Sequence, residues 1–162
     1  TPLIAGGTGS FSHLETMPAH MPDAFEAGTL NLPGIIGLNE GLAYIESVGM
    51  ENIHNHELVL SKTFLEGLQK IEQINILGKQ TLQDRTAVVS ITIDGMDPAS
   101  IAYELESTYH IMTRVGLHCA PRAHQTLGTD PEGTVRFSFG YANTIEDIEA
   151  ALSALRAIAN KI

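Results

Sequence analysis

Hydrophobic residues recur with helical spacing in several stretches of the chain. Between residues 33 and 48, and again between 51 and 72, they repeat about every 3.6 positions, which predicts two long helices. A third helix is predicted after Asp97 and a fourth after Thr144, because Asp and Thr are favoured helix N-caps. Asp147 stands three residues after Thr144 and completes a capping box.

Other stretches alternate apolar and polar side chains, which is typical of strands with one buried face. The alternation is clear at 89–93 and 134–139, and weaker strands are predicted at 74–78 and 111–115. From residue 74 onward the predicted order is β, β, α, β, β, α. This order indicates an α+β fold in which a small, mostly antiparallel sheet carries helices on one face.

The first 34 residues follow neither spacing. Glycine and proline are frequent there, as in turns and loops. The stretch nevertheless contains too many apolar side chains to be a linker. Long irregular segments of this kind usually serve a function or pack against something. We therefore predict an irregular segment over residues 1–34 and a folded domain over 35–162.

Composition and charge narrow the function classes. A length of 162 residues with 43% hydrophobic residues suits one folded domain. The formal net charge of -10 argues against nucleic-acid or anionic-membrane partners, since phosphates would be repelled. No apolar run approaches the ~20 residues of a membrane span. The single cysteine excludes an internal disulfide, so we expect a cytoplasmic protein.

The segment from Arg114 to Cys119 places a thiol beside basic side chains. Nearby positive charge lowers the pKa of a thiol and makes the nucleophilic thiolate available. We expect Arg114 and His118 to supply that charge. The alternative is an inert, half-buried cysteine, and composition alone favours it because free cysteines are commonly buried.

An arginine and a Gly-Thr turn are the other candidates. Arg136 lies in a predicted strand, opposite to its apolar neighbours, where it can hold a carboxylate through two hydrogen bonds. A solvated strand face or a salt bridge explains it equally well. Gly28 and Thr29 precede the first helix and can offer N–H groups and a hydroxyl to a phosphate, although ordinary capping explains most such turns. The seven histidines show no ligand spacing, so no metal site is predicted.

Five short strings stand in order along the chain: Phe25-Glu26-Ala27-Gly28-Thr29-Leu30-Asn31, Gly34-Ile35-Ile36-Gly37-Leu38, Arg114-x-Gly-x-His118-Cys119-Ala120, Val135-Arg136-Phe137-Ser138, and the set Tyr141, Asn143, Thr144, Glu146 and Asp147. Together they resemble the C-terminal portion of class V aminotransferase-like, pyridoxal-phosphate enzymes. The closest group is the SufS-like cysteine desulfurases and selenocysteine lyases. The resemblance extends through nearly the whole chain.

The resemblance implies a role for each candidate near the thiol. Cys119 matches the cysteine that carries a persulfide, and Arg136 matches the arginine that holds the substrate α-carboxylate. Arg114 and His118 match basic residues near the substrate. The implied reaction converts L-cysteine to L-alanine and leaves the sulfur on Cys119, for a sulfur-acceptor protein to collect.

The resemblance also implies pyridoxal phosphate and a homodimer. Gly28 and Thr29 match a turn that reaches the phosphate of the cofactor bound by the partner subunit. The family's cofactor lysine lies in a large domain that would precede residue 1, so we expect this chain alone to be inactive. Residues 1–34 would then belong to the large-domain and dimer-interface region, and 35–162 to the C-terminal small domain.

Two alternatives to the desulfurase interpretation remain open. The chain could be part of a class V aminotransferase-family enzyme that acts on another amino acid, with Cys119 not accepting sulfur. It could also be a non-enzymatic α+β interaction module whose apolar residues 1–34 dock a partner, because similarity of fold does not fix function.

Overall fold

The structure, a computed structural model, describes residues 3–11 and 13–161. Residues 1, 2, 12 and 162, which the two predicted segments include, lie outside the described part. Tertiary contacts divide the chain into two units, Thr1–Val48 and Gly49–Ile162. The elements follow the chain in this order: α1 (Leu32–Val48), α2 (Met50–Leu68), β1 (Ile74–Leu77), β2 (Val88–Ile93), α3 (Pro98–Tyr109), β3 (Arg114–Gly116), α4 (Pro121–Leu127), β4 (Thr134–Ser138) and α5 (Ile145–Ala159).

The first unit is an irregular segment followed by α1. The Gly34 N–H donates to Asn31 Oδ1 over 3.1 Å, which caps the start of the helix. The helix ends at Val48, before Gly49, as the sequence predicts. The helix α1 has no buried residue and belongs to the first unit, and the predicted division into 1–34 and 35–162 stays a prediction.

The second unit is built on a four-stranded antiparallel sheet with the strand order β1-β2-β4-β3. In the register, Val89 lies opposite Phe137 and Ile91 lies opposite Val135. These four side chains share one face of the sheet and are buried. Polar residues occupy the other face at the intervening positions, so the predicted alternation is confirmed.

Three helices cover the apolar face of the sheet, in agreement with the predicted α+β fold. Their buried stripes join the strands in one core, and the Phe64 ring of α2 lies 4.9 Å from the Phe137 ring of β4. Both predicted N-caps form. Asp97 accepts a hydrogen bond from the Ser100 N–H at 2.9 Å, and Thr144 forms a reciprocal capping box. The helices that contribute to this core are α2, α3 and α5.

Two predictions between α3 and β4 need correction. The predicted strand at 111–115 begins only at Arg114, because the Ile111 N–H instead donates to the Leu105 carbonyl and closes the end of α3. The residues after Cys119, which the sequence suggests are a loop, form the short helix α4. The one buried residue of α4 is His124, so no stripe of buried apolar residues marks this helix in the sequence.

Candidate active site

The sheet register brings two arginines face to face. Arg114 of β3 lies directly opposite Arg136 of β4, and Ser90 of β2 flanks Arg136 on its other side. All three occupy the sheet face that the helices leave uncovered. Like charges at directly opposed positions destabilise a sheet unless an anion lies between them. The pair is therefore a cationic site suited to an anion, such as a carboxylate.

Neither arginine is neutralised within the described part of the chain. The ion pairs found there are His20–Asp23, Lys62–Glu66 and Lys161–Glu104, so no carboxylate partners Arg114 or Arg136. The Nε of Arg136 is buried without a hydrogen-bond partner. A buried donor of this kind costs free energy unless a ligand satisfies it. The alternative of a salt-bridged Arg136 is thus not what the structure contains.

Cys119 is presented on a strained turn at the end of β3. Gly116 has a φ of 103°, and His118 and Cys119 have φ values of 53° and 59°. The left-handed region costs non-glycine residues about 1 kcal/mol or more each, and such strain concentrates at functional sites. The turn closes through the Ala120 N–H, which donates to the Leu117 carbonyl over 2.8 Å. Cys119 is exposed, so the half-buried placement that the alternative assumed is wrong, whereas the reactivity of the thiol stays a prediction.

The Arg114 guanidinium lies next to the thiol. Its Nη2 is 3.7 Å from Cys119 Sγ, within hydrogen-bond distance of a sulfur atom. Burial, followed by the interactions with Arg136, His124 and Arg114, lowers the pKa of His118, which opposes a positive charge on its ring. That His118 carries charge toward Cys119 stays a prediction, which this lowered pKa does not favour.

His118 points instead into a polar cluster behind the turn. Its Nε2 lies 3.5 Å from the hydroxyl of the buried Thr134, and its ring meets the His124 ring edge-on at 5.6 Å. His124 is buried, and its Nδ1 lies 2.7 Å from Thr129 Oγ1. Sequence reasoning passed over His124 and Thr129. Both residues follow Cys119 in the segment that connects β3 to β4, and Pro121 is a favoured first residue of a helix. These two features of the sequence could have pointed to them.

Gly116 and Gly133 allow the segment that connects β3 to β4 to return close to β3. Gly133, which precedes β4, is buried with a φ of 80°, and a Cβ there would lie 2.3 Å from the Gly116 carbonyl carbon. We expect Gly133→Ala to lower the free energy of unfolding by about 3 kcal/mol, from left-handed strain plus a backbone clash. Urea denaturation measures this change.

Gly128→Ala is the matched control for that substitution. Gly128 also has a positive φ, 71°, but nothing lies within 4 Å of the added Cβ. The control should therefore lose only the strain, about 1 kcal/mol. Equal losses in the two variants would show that the approach of Gly133 to Gly116 does not matter to the fold.

The remaining two candidates, Gly28 and Thr29, lie in the first unit. Both are exposed, and Gly28 has a φ of 86°. The Gly28 N–H already donates to the Gly7 carbonyl over 2.7 Å, so this donor is not free for a phosphate. The second unit brings Arg114, His118, Cys119 and Arg136 together.

The lysines do not fit an imine-forming role. Lys62, Lys70, Lys79 and Lys161 are all exposed. A hydrogen bond to Glu104 raises the pKa of Lys161, whereas an amine nucleophile requires a lowered one. The four lysines therefore do not suit an imine with pyridoxal phosphate.

Within residues 3–11 and 13–161, no group of three or more His, Cys, Asp or Glu residues is arranged to hold a metal ion. None of the helices in the same residues has the length and apolar character to cross a bilayer.

This arrangement of sheet and helices is found in a known family. The chain belongs to the class-V aminotransferase family, whose model matches residues 1–151. It is 36% identical over 162 residues to a probable cysteine desulfurase of Pyrococcus abyssi (strain GE5 / Orsay), covering 99% of this chain and 39% of that protein. A probable cysteine desulfurase of Synechocystis is 33% identical, with 91% of this chain and 34% of that protein covered.

Solved structures give the same result. The chain matches the apo structure of a cysteine desulfurase from Thermococcus onnurineus NA1 with a TM-score of 0.81 and 37% identity, over 87% of this chain and 34% of that one. The cysteine desulfurase CsdA from Escherichia coli matches with a TM-score of 0.75 and 26% identity, over 87% and 34% respectively. The chain thus spans between about a third and two fifths of the length of these relatives.

Proposed function

We propose that this chain carries the sulfur-accepting and carboxylate-binding part of a cysteine desulfurase that converts L-cysteine to L-alanine. The observation that carries the proposal is the exposed Cys119 thiol with Arg114 Nη2 at 3.7 Å, on a turn that leaves the strand paired with Arg136. The relatives named above, which are described as cysteine desulfurases, support the same activity.

The arginine pair binds and orients the substrate in this proposal. The α-carboxylate of L-cysteine accepts hydrogen bonds from Arg136, whose Nε lacks a partner, and relieves the repulsion between Arg136 and Arg114. A carboxylate fixed on the sheet limits where the substrate sulfur can lie. Orientation of this kind lowers the barrier, because the reactants no longer lose rotational freedom during the reaction.

Cys119 then acts as the nucleophile. Its thiolate, stabilised by Arg114, attacks the substrate sulfur and forms an S–S bond. The substrate Cβ–S bond breaks, and its electron pair stays on the three-carbon product, which is protonated and leaves as alanine. Cys119 retains the sulfur as a persulfide. Pyridoxal phosphate, when bound, supplies the electron sink that weakens the Cβ–S bond.

The proposal requires groups outside this chain. Because the four lysines here do not suit the cofactor, we propose that its lysine comes from a further segment, with residues 1–34 in the large-domain and dimer-interface region and 35–162 as the C-terminal small domain. Thr29 and Gly28 would reach the cofactor phosphate of the partner subunit in a homodimer. A sulfur-acceptor protein would collect the persulfide, and a thiol that must stay reduced favours the cytoplasm.

The test is to incubate the purified protein, together with the further segment that supplies the cofactor lysine, with pyridoxal phosphate and L-cysteine. Alanine is quantified, and the Cys119 peptide is examined by mass spectrometry for one added sulfur atom. We expect both in equal amounts in the first turnover. Turnover of another amino acid with an unmodified Cys119 would instead assign the chain to a different class V enzyme. No turnover of any amino acid, together with binding of a protein partner, would favour an interaction module.

A further inference from the structure

The conformation of the Cys119 turn requires support from outside the turn. His118 and Cys119 are consecutive non-glycine residues with φ values of 53° and 59°. Strained pairs of this kind persist only where the surrounding structure holds them in place. Cys119 is exposed, so its own side chain contributes little packing, and the hold has to act on His118.

Two contacts hold the His118 ring. The ring packs edge-on against His124 at 5.6 Å, and its Nε2 lies 3.5 Å from Thr134 Oγ1. Thr134 stands two positions before Arg136 on β4, so it lies on the same face of the sheet as that arginine. The contact with His124 comes from α4, outside the sheet. The His118 Nδ1 is buried without a partner.

His124 is itself fixed by a strong contact. It is buried at 6% exposure, at the middle of α4, and its Nδ1 lies 2.7 Å from Thr129 Oγ1. The Thr129 N–H also donates to the His124 carbonyl at 2.9 Å, so two bonds join these residues across the end of α4. A short helix with exposed neighbours has little other reason to keep a histidine buried.

We propose that His124 is a positioning residue for the Cys119 turn, locked by Thr129 and acting through the His118 ring. It keeps Cys119 Sγ within reach of the Arg114 guanidinium. The proposal rests on the proposed function only in treating Cys119 as the reactive thiol. It assigns a task to three residues, His118, His124 and Thr129, that have no hydrogen bond to Cys119 Sγ.

The charged and titratable groups around the turn determine how the reactivity of Cys119 depends on pH. Arg114 faces the thiol from β3, Arg136 lies on β4, and His124 faces from α4. Only Arg114 has a hydrogen bond to Sγ among the described residues. If the turn relaxes, the thiol loses that bond first, so the pH dependence of Cys119 reactivity reports directly on positioning.

The experiment measures alkylation of Cys119 by iodoacetamide as a function of pH. The purified protein is used, and the Cys119 peptide is quantified by mass spectrometry. We expect Thr129→Val to slow alkylation at pH 7 by about tenfold, since Cys119 Sγ would then lose its hydrogen bond to the Arg114 guanidinium. Thr129→Ser keeps the hydroxyl and should restore the wild-type profile.

Thr126→Val is the matched control, because the Thr126 hydroxyl donates to the Arg122 carbonyl on the same short helix but is exposed. It should leave the profile unchanged. His124→Phe is measured beside Thr129→Val, because it keeps a ring and removes Nδ1, and it decides the matter should Thr129→Val not fold. A folded Thr129→Val or His124→Phe with the wild-type profile overturns the proposal, as does an equal shift in Thr126→Val. The assay needs no L-cysteine turnover, so a shifted profile without desulfurase activity would reject only the proposed function.

Discussion

Replacement of Cys119 by serine is expected to abolish the formation of alanine from L-cysteine. A serine hydroxyl is not ionised at neutral pH and cannot hold the transferred sulfur as a persulfide. Loss of an essential nucleophile lowers kcat on the order of a thousandfold or more. The measurement is alanine release by the protein loaded with pyridoxal phosphate, with L-cysteine in excess.

The same variant should keep its fold and its cofactor. Cys119 is exposed and belongs to none of the buried clusters, so Cys119→Ser should melt within a degree or two of the wild type. Absorbance of the bound cofactor should also be unchanged. Alanine release at the wild-type rate would contradict the nucleophilic role, and an unfolded variant would contradict the peripheral placement of this side chain.

Replacement of Arg136 by leucine is the second change with a large expected effect. The substrate carboxylate would lose its charged partner, and loss of one member of such a pair costs about 2–5 kcal/mol, or roughly thirtyfold to several thousandfold in kcat/KM. Arg136→Lys keeps the charge without the planar fork and should recover only part of the loss. Steady-state kinetics with L-cysteine check both values.

The free energy of unfolding of Arg136→Leu should rise although its kcat/KM falls. Arg136→Leu removes one of two opposed guanidinium groups and a buried Nε without a partner, so the free energy of unfolding should rise by a few tenths to 1 kcal/mol. Arg156→Leu on the exposed surface of α5 is the control and should leave kcat/KM unchanged. A fall in the stability of Arg136→Leu comparable to its loss of activity would point to a structural arginine instead.

The parts of the fold that depend on local chemistry were predictable from the sequence. Asp97 caps α3, and Thr144 with Asp147 caps α5, because these side chains satisfy N–H groups a few residues away. The alternation at 89–93 likewise follows from one buried face of the sheet. None of these features requires knowledge of distant residues.

The segments that the sequence missed depend on contacts without a periodic signal. The helix α4 buries a single histidine, so no apolar stripe marks it. The start of β3 is set by Arg114 pairing with Arg136, which lies far along the chain, and not by the apolar run from Ile111. Register between strands that are separated by a long connection is a tertiary property, and local propensity does not encode it.

The residues of the candidate site could be identified from the sequence, whereas their electrostatic surroundings could not. The individual residues Arg114, Cys119 and Arg136 were identifiable from their types and from the family resemblance. Their electrostatics were not, because the charge of His118 depends on its burial and on Arg136, His124 and Arg114. The fold lowers the pKa of His118, and the position of this histidine beside a cysteine in the sequence does not indicate that.

The strand order separates the scaffold of this unit from its reactive segment. Residues 117–133, which carry Cys119, connect β3 to β4 and lie outside the core formed by α2, α3, α5 and the sheet. Long connections between paired strands change length at little thermodynamic cost. Evolution can thus lengthen, shorten or rebuild this connection, and alter how far the thiol extends, while Arg114 and Arg136 stay in register on strands that any descendant must retain.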